Sequence, residues 1–242
     1  MHRALASSAL FLASLSICLP CNAQVVPGTY AVEFGGGELV IRPAQEAKLA
    51  FKMHTVGGNF HSCLAKGNII GHRAVLLEDD GSRCELTFSK EAKGYRVSSD
   101  QGPGCRSYCG MRATLENYYE RTPMGCSAAE RQRSRSTFKS LYGKKQYATA
   151  LAKLEPVLTN CNKYMSEFEK GWVSNDLALT QYKLGKIDAC LLSLQALTED
   201  TNKTDQQILE KYVSPAVGES WLPIIKATRT NLKLCQSAKT GD

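Results

Sequence analysis

Eight cysteines, split four and four along a chain that opens with an export-type leader, constrain this fold more than any other feature. Residues 4–20 are mostly apolar and uncharged, Arg3 precedes them, and Cys21-Asn22-Ala23 forms a loose small-residue cleavage site before Gln24. The apolar run is short for a membrane anchor and a polar region follows it, which is the pattern of a secretory signal peptide over residues 1–23. A lipoprotein reading would acylate Cys18 or Cys21, but Ile17 or Pro20 would then stand where a small residue is expected. No later stretch is long and apolar enough to span a bilayer. The sequence predicts a periplasmic or secreted protein with no transmembrane span once the signal is removed.

Signal removal leaves Cys63, Cys84, Cys105, Cys109, Cys126, Cys161, Cys190 and Cys235. An even number in an oxidising compartment favours disulfides over thiols or zinc. Cys105-x-x-x-Cys109 is one residue longer than a redox Cys-x-x-Cys pair. A zinc site would need two more ligands, for which His54, His61 and His72 are the available imidazoles. Cys105 and Cys109 are therefore read as bridged, to each other or to other cysteines. Cys63 with Cys84 is one of three pairings open in the first half, and each bridge is worth about 2–4 kcal/mol to a small core.

The chain changes character near residue 121. Residues 24–120 carry 11 basic and 11 acidic side chains, with most of the glycines, whereas residues 121–242 carry 18 basic and 12 acidic. The cysteines divide at the same point, so the sequence predicts an α+β protein of two domains, 24–120 and 121–242. In the first, residues 28–34, 38–41, 49–56, 60–66, 73–77, 84–89, 95–98 and 111–119 read as short strands. They are separated by turn signals such as Gly35-Gly36-Gly37, Gly57-Gly58-Asn59, Gly67-Asn68 and Asp79-Asp80-Gly81. That spacing predicts antiparallel hairpins closing into a small barrel or sandwich.

His61-x-Cys63, Cys84-x-Leu86, Cys105-x-x-x-Cys109-Gly110-x-Arg112-Ala113 and a closing Tyr119 resemble the Cys-rich β domain of exported proteobacterial lysozyme-inhibitor-like proteins. The resemblance covers about the first hundred mature residues. It implies a small disulfide-bonded β fold and, by kinship, binding to a lysozyme-like enzyme.

The second half contains an internal repeat. Residues 141–158 and 181–198 superpose at an offset of forty, with Tyr142 on Tyr182, Tyr147 on Ile187, Leu151 on Leu191 and Leu154 on Leu194. Each copy reads as a helix end, a polar turn and a second amphipathic helix, and such pairs must stack to bury their apolar stripes. The Tyr182-x-x-Gly185 turn and the small Ala150 and Ala189 resemble tetratricopeptide repeats. The first copy departs from that turn, because Gly143 directly follows Tyr142. A third pair, residues 206–213 and 221–235 with Pro215 and Gly218 in the turn, would complete the stack. Antiparallel packing of the first pair brings Cys126 to Cys161 and leaves Cys190 with Cys235.

Arg121, Arg131, Arg133, Arg135, Lys139, Lys144 and Lys145 stand against only Glu130 between residues 121 and 145. They form either a solvated helix face or a dock for an anionic surface, a wall polymer or an acidic protein. Nucleic acid is not expected of an exported chain without a recognised binding motif. The sequence shows none of the common nucleophile, metalloprotease or phosphate-loop motifs, and all four histidines precede residue 73. No cofactor is expected, and binding is favoured over catalysis. Three functions follow: an inhibitor or immunity protein against a wall-degrading enzyme, an envelope adaptor that holds a protein partner on its helices, or an enzyme acting on a wall polymer. Contact candidates are Asn59, His61, Arg106 and the 100–104 tip in the first half. In the second they are Tyr142, Tyr147, Trp172, Asn175 and Tyr182.

Overall fold

The structure, a computed structural model, describes residues 24–45, 48–100 and 102–241. The predicted signal peptide, residues 1–23, lies outside the described residues. Eight strands form one antiparallel sheet: β1 (Gly28–Val32), β2 (Gly37–Pro43), β3 (Leu49–Val56), β4 (Ser62–Ile69), β5 (Arg73–Leu77), β6 (Arg83–Glu91), β7 (Gly94–Ser99) and β8 (Asn117–Arg121). Their order is β4-β3-β2-β1-β8-β7-β6-β5, and the two end strands are joined by a tight turn with an Ile70–Arg73 bridge. The result is a nearly closed barrel. Alternation sends Leu39, Ile41, Phe51, Met53, Leu86, Phe88, Tyr95 and Val97 into its core. Register keeps these residues level, since Leu39 pairs with Met53 and Met53 with Ala65.

Two sequence expectations change here. The last strand begins at Asn117 rather than residue 111, because residues 107–116 fold across the barrel end and leave Met111 exposed. The first-half bridges are Cys63–Cys109 and Cys84–Cys105, not Cys63–Cys84. Cys63 and Cys84 lie on strands separated by β5, whereas the crossing segment docks on both. Gly110 N donates to Ser62 O at 2.9 Å, and Leu64 N donates to Tyr108 O at 3.0 Å. The short helix α1 (Pro103–Arg106) carries Cys105 to β6 and buries Gly104, while Asp100 and Pro103 are exposed.

The second half is helical: α2 (Ala128–Gly143), α3 (Tyr147–Cys161), α4 (Glu167–Lys183), α5 (Ile187–Leu194), α6 (Asp205–Glu210) and α7 (Pro215–Thr240). Helix α2 starts with a capping box between Ser127 and Glu130. The α2–α3 and α4–α5 turns close with equivalent hydrogen bonds. Gln146 N donates to Leu141 O and Lys186 N to Gln181 O, at 3.0 and 2.9 Å. The left-handed residue of each turn is Lys145 (φ 59°) in the first copy and Gly185 (φ 70°) in the second. Gly143 is the last residue of α2 and takes no part in the left-handed position of the turn. The expected third pair is altered: Pro215 opens α7, and Gly218 lies inside α7 against Leu209 rather than in a turn. The bridges Cys126–Cys161 and Cys190–Cys235 are present as expected.

The two halves share a seam. Strand β1 buries Tyr30 in the barrel core and, on its other face, Ala31 in the helical core that includes Phe138, Leu154 and Tyr164. Lys163 bridges Glu33 and Glu120, and its hydrogen bond holds the Glu120 carboxyl below the ordinary carboxylate value. Glu38 accepts from the backbone N of Ala128 at 2.7 Å. The expected boundary at 120/121 falls within β8, and only residues 122–127 connect the last strand to α2. Because Ala31 belongs to the helical core, the oxidised protein is expected to unfold in one calorimetric transition with matching calorimetric and van't Hoff enthalpies. Two resolved peaks would show that the seam carries little energy.

Candidate functional site

Strand alternation places the β1–β2 and β3–β4 tips at the same end of the barrel, where they meet the first turns of α4 and α7. The glycines allow close approach: a Cβ on Gly35 (φ 72°) would lie 2.7 Å from Ser166 N, and one on Gly57 would lie 1.9 Å from Arg112 O. Beside them stand three residues in the left-handed region that are not glycine: Phe34 (φ 56°), Asn59 (φ 57°) and Phe60 (φ 60°). For a bulky side chain this conformation costs about 1–2 kcal/mol each, and it persists only where the surroundings fix it. Phe34 is nonetheless 68% exposed and Phe60 43%.

These tips and the helices enclose a cleft of about 630 Å³, lined by Phe34, Val56, Asn59, Phe60, Phe168 and Trp172, with Ser166, Glu167, Val217 and Ser220 at its helical wall. Ser166 caps α4 by accepting from Glu169 N. An aromatic line runs inward from the cleft. The Phe60 ring is 5.4 Å from Phe168, and Phe168 meets Trp221 edge-on at 5.8 Å. On the other side the Lys170 ammonium sits 5.5 Å from the Phe34 ring centre and 2.8 Å from the Glu167 carboxylate.

A second cleft, about 530 Å³, opens in the helical half behind Trp221 and shares Glu167 with the first. Its floor is Asp200, buried and bound by Lys203, Lys211 and the Trp221 indole, whose Nε1 donates at 2.8 Å. Burial would push this carboxyl up, but hydrogen bonds from Lys203, Lys211 and Trp221 outweigh it and hold it at about 2. Lys170, Ser174, Ser193 and Tyr212 line the walls, and the exposed Leu192 lies at the lining's edge.

Of the residues singled out from sequence, Asn59 and Trp172 come together in the junction cleft. His61 is half-buried beneath Gly110, where a Cβ would lie 2.7 Å from its Nδ1. Arg106 is exposed, donates to Met111 O at 2.7 Å, and lines a separate hollow at the barrel mouth with Cys105 and Glu116. Asn175 is not a surface contact. It is buried, and its Nδ2 donates to Gly171 O and Thr228 Oγ1 while its Oδ1 accepts from Asn231, tying α4 to α7. Tyr142 and Tyr147 pack edge-on at 5.1 Å near the α2–α3 turn, and Tyr182 occupies the place matching Tyr142 in the last turn of α4. These tyrosines lie at the opposite end of the helices from Trp172.

The members of the basic stretch differ in burial and pairing. Arg131 is buried and gives both Nε and Nη2 to the Glu169 carboxylate, at 2.9 and 3.1 Å. Arg135 reaches Asp176 at 3.4 Å, and its buried Nε has no hydrogen-bond partner among the described residues. Arg121 lies 5.8 Å from the Tyr30 ring centre. Arg133, Lys139, Lys144 and Lys145 are exposed. Cys84, Asp100 and Cys105 gather potential ligand atoms within 4.8 Å, but both sulfurs belong to one disulfide and so offer no thiolate to a metal.

No family model, curated protein or solved structure matches this chain. The site therefore rests on its own geometry. Phe34, Phe60 and Phe168 were missed in the sequence because the first two read as strand ends. Their signal was an aromatic beside each glycine run, since a bulky ring next to a hairpin turn is well placed to stay exposed.

Replacing Phe34 with glycine removes left-handed strain and one ring–ammonium contact, so stability is expected to stay within about 1 kcal/mol of the parent. A loss above 3 kcal/mol in denaturant titration would make Phe34 a structural residue. Asp200 has a folded-state value below its ordinary 3.8, so its stabilisation is full above that value and is lost as pH falls toward about 2. Asp200→Asn should cost about 3 kcal/mol at neutral pH, and the gap between variant and parent should close across that acid window. A gap that is independent of pH would refute the assignment.

Proposed function

We propose that this protein is an exported, non-catalytic binding protein that receives a segment of a protein partner in the junction cleft. In this reading it acts as an inhibitor or immunity protein against a cell-wall-degrading enzyme. The observation that carries the proposal is the pair of left-handed, solvent-exposed phenylalanines at the two hairpin tips. Folding stability alone gives no reason to hold a large apolar ring in a strained turn and leave it in water. A partner that covers it does.

The choice of enzyme comes from the resemblance of the first half to lysozyme-inhibitor-like β domains. One feature of the barrel supports it. The β5–β6 tip carries exposed Asp79 and Asp80, with Gly81 in the left-handed region, so an acidic loop projects from a chain that is otherwise basic. Such a loop would offset the unfavourable long-range steering between this chain and a basic lysozyme-like target.

The adaptor reading stays as the second, because the Asp200 cleft lies wholly in the helical half and has exposed Leu192 in its lining. There the tetratricopeptide-like helices would hold the partner and the barrel would serve as an accessory.

The test uses the full oxidised chain, since the junction cleft needs both halves. Purified protein is titrated into a lysozyme-type wall-lysis assay beside Phe34→Ser/Trp172→Ser and Asp79→Lys/Asp80→Lys variants. Inhibition by the parent, weakened at least tenfold in both variants, supports the inhibitor reading. Absence of inhibition, with partner capture that survives both changes but is lost in Lys211→Glu/Leu192→Asp, transfers the function to the helical cleft.

A further inference from the structure

The helices of the second half are polarised along their axes. Arg131 of α2 meets Glu169 of α4 and Arg135 meets Asp176, at sequence separations of 38 and 41, so α2 and α4 run parallel. Gly171 of α4 lies against Ile224 of α7, and four residues later Asn175 meets Thr228, so α7 runs parallel to both. All three start against the barrel, through Ala128 on Glu38, Ser166 beside Gly35 and Val217 in the junction cleft. In this register they also end level with one another, at Gly143, Lys183 and Thr240, on the side away from the barrel.

That far end is rich in lysine. Lys144 and Lys145 follow α2, Lys183 and Lys186 close α4 and its turn, and Lys233 and Lys239 lie on the last turns of α7. All are exposed. Asp188 pairs with Lys239 at 3.0 Å. Among the described residues, no carboxylate lies within ion-pair distance of the other five. Lysines at helix C-termini commonly offset the helix dipole, but three C-termini carry only about −0.5 charge each, so five unpaired ammoniums leave a clear positive surplus. Tyr142, Tyr147 and Tyr182 are half-buried among them, and Lys183 sits 5.6 Å from the Tyr182 ring centre.

We propose that this level end, with five unpaired lysines interleaved with tyrosines, docks the protein on an anionic phospholipid surface and points the junction cleft away from it. Neighbouring helix axes are roughly 8–10 Å apart, so the charges spread over a patch about 20 Å across instead of following a groove, as a linear polyanion would require. Every cation in the patch is a lysine, a point charge on a flexible stem suited to a mobile headgroup layer, and none is an arginine able to grip one phosphate in a bidentate fork. Tyrosines at the same level suit the interfacial zone, where an apolar ring and a polar hydroxyl are both accommodated.

Co-sedimentation with vesicles of phosphatidylcholine, with and without phosphatidylglycerol, tests this on the full oxidised protein. Binding is expected only with the anionic lipid. It should weaken strongly between about 0.1 M and 1 M salt, where the screening length falls from roughly 10 Å to 3 Å. Each lysine contributes roughly fivefold to such binding, so Lys144→Glu/Lys145→Glu/Lys183→Glu/Lys186→Glu should reduce it by well over tenfold. Lys52→Glu/Lys66→Glu/Lys90→Glu/Lys93→Glu on the barrel makes the same change in net charge and should leave most of the binding intact. Equal loss in both variants would reduce the effect to net charge and overturn the proposal. Failure to bind anionic vesicles would do the same, whether or not soluble polyglutamate is retained.

Discussion

A single strand buried on both faces holds this molecule together. Strand β1 gives Tyr30 to the barrel and Ala31 to the helices, where it belongs to the same buried cluster as Phe138, Leu154 and Tyr164. Burial is normally asymmetric on a barrel, where outward residues meet water. Here the outward face of one strand is a wall of a second core. The surrounding polar contacts, Lys163 to Glu33 and Glu120 and Glu38 to the start of α2, fix the angle at which that wall is met.

The junction cleft follows from that angle. Neither half contains it, since the phenylalanine-bearing tips belong to the barrel and Phe168 and Trp172 belong to α4. The glycines at the tips bring the backbone against Ser166 and Arg112, and that close packing is what holds Phe34 and Phe60 in conformations they would otherwise leave. The inner end of the aromatic line is anchored in turn, because Trp221 is fixed by its indole hydrogen bond to Asp200.

Local pattern made much of this legible in the sequence. Period-two alternation and glycine turns marked all eight strands, and the forty-residue repeat marked the helix pairs α2–α3 and α4–α5. The contents of residues 111–116 misled because apolar and polar residues alternate there without a neighbouring strand to pair with. The Cys63 and Cys84 partners were hidden for another reason: sheet closure decides which segment crosses the barrel end, and no local signal encodes closure. The helical cysteines could be paired because a helix hairpin is a local object. Asn175 looked like a contact residue, but its amide is consumed by Thr228 and Asn231, fifty residues away, and burial of that kind leaves no trace in local composition. The burial of Arg131 and the pairing of Arg135 were hidden for the same reason, because their partners come from α4.

The four disulfides also divide the molecule in a way that contacts do not. Cys63–Cys109 and Cys84–Cys105 close within the barrel, Cys126–Cys161 and Cys190–Cys235 close within the helices, and none crosses from one half to the other. Covalently, the chain is two stapled bodies joined by one strand of peptide, in which Met124 is 96% exposed and Gly125 has a positive φ. A single cut there would break no bridge and touch no core residue. It would turn one polypeptide into a two-chain assembly whose integrity, and whose junction cleft, would depend on noncovalent contacts alone: Ala31 in the helical core, Lys163 with Glu33 and Glu120, and Phe60 on Phe168.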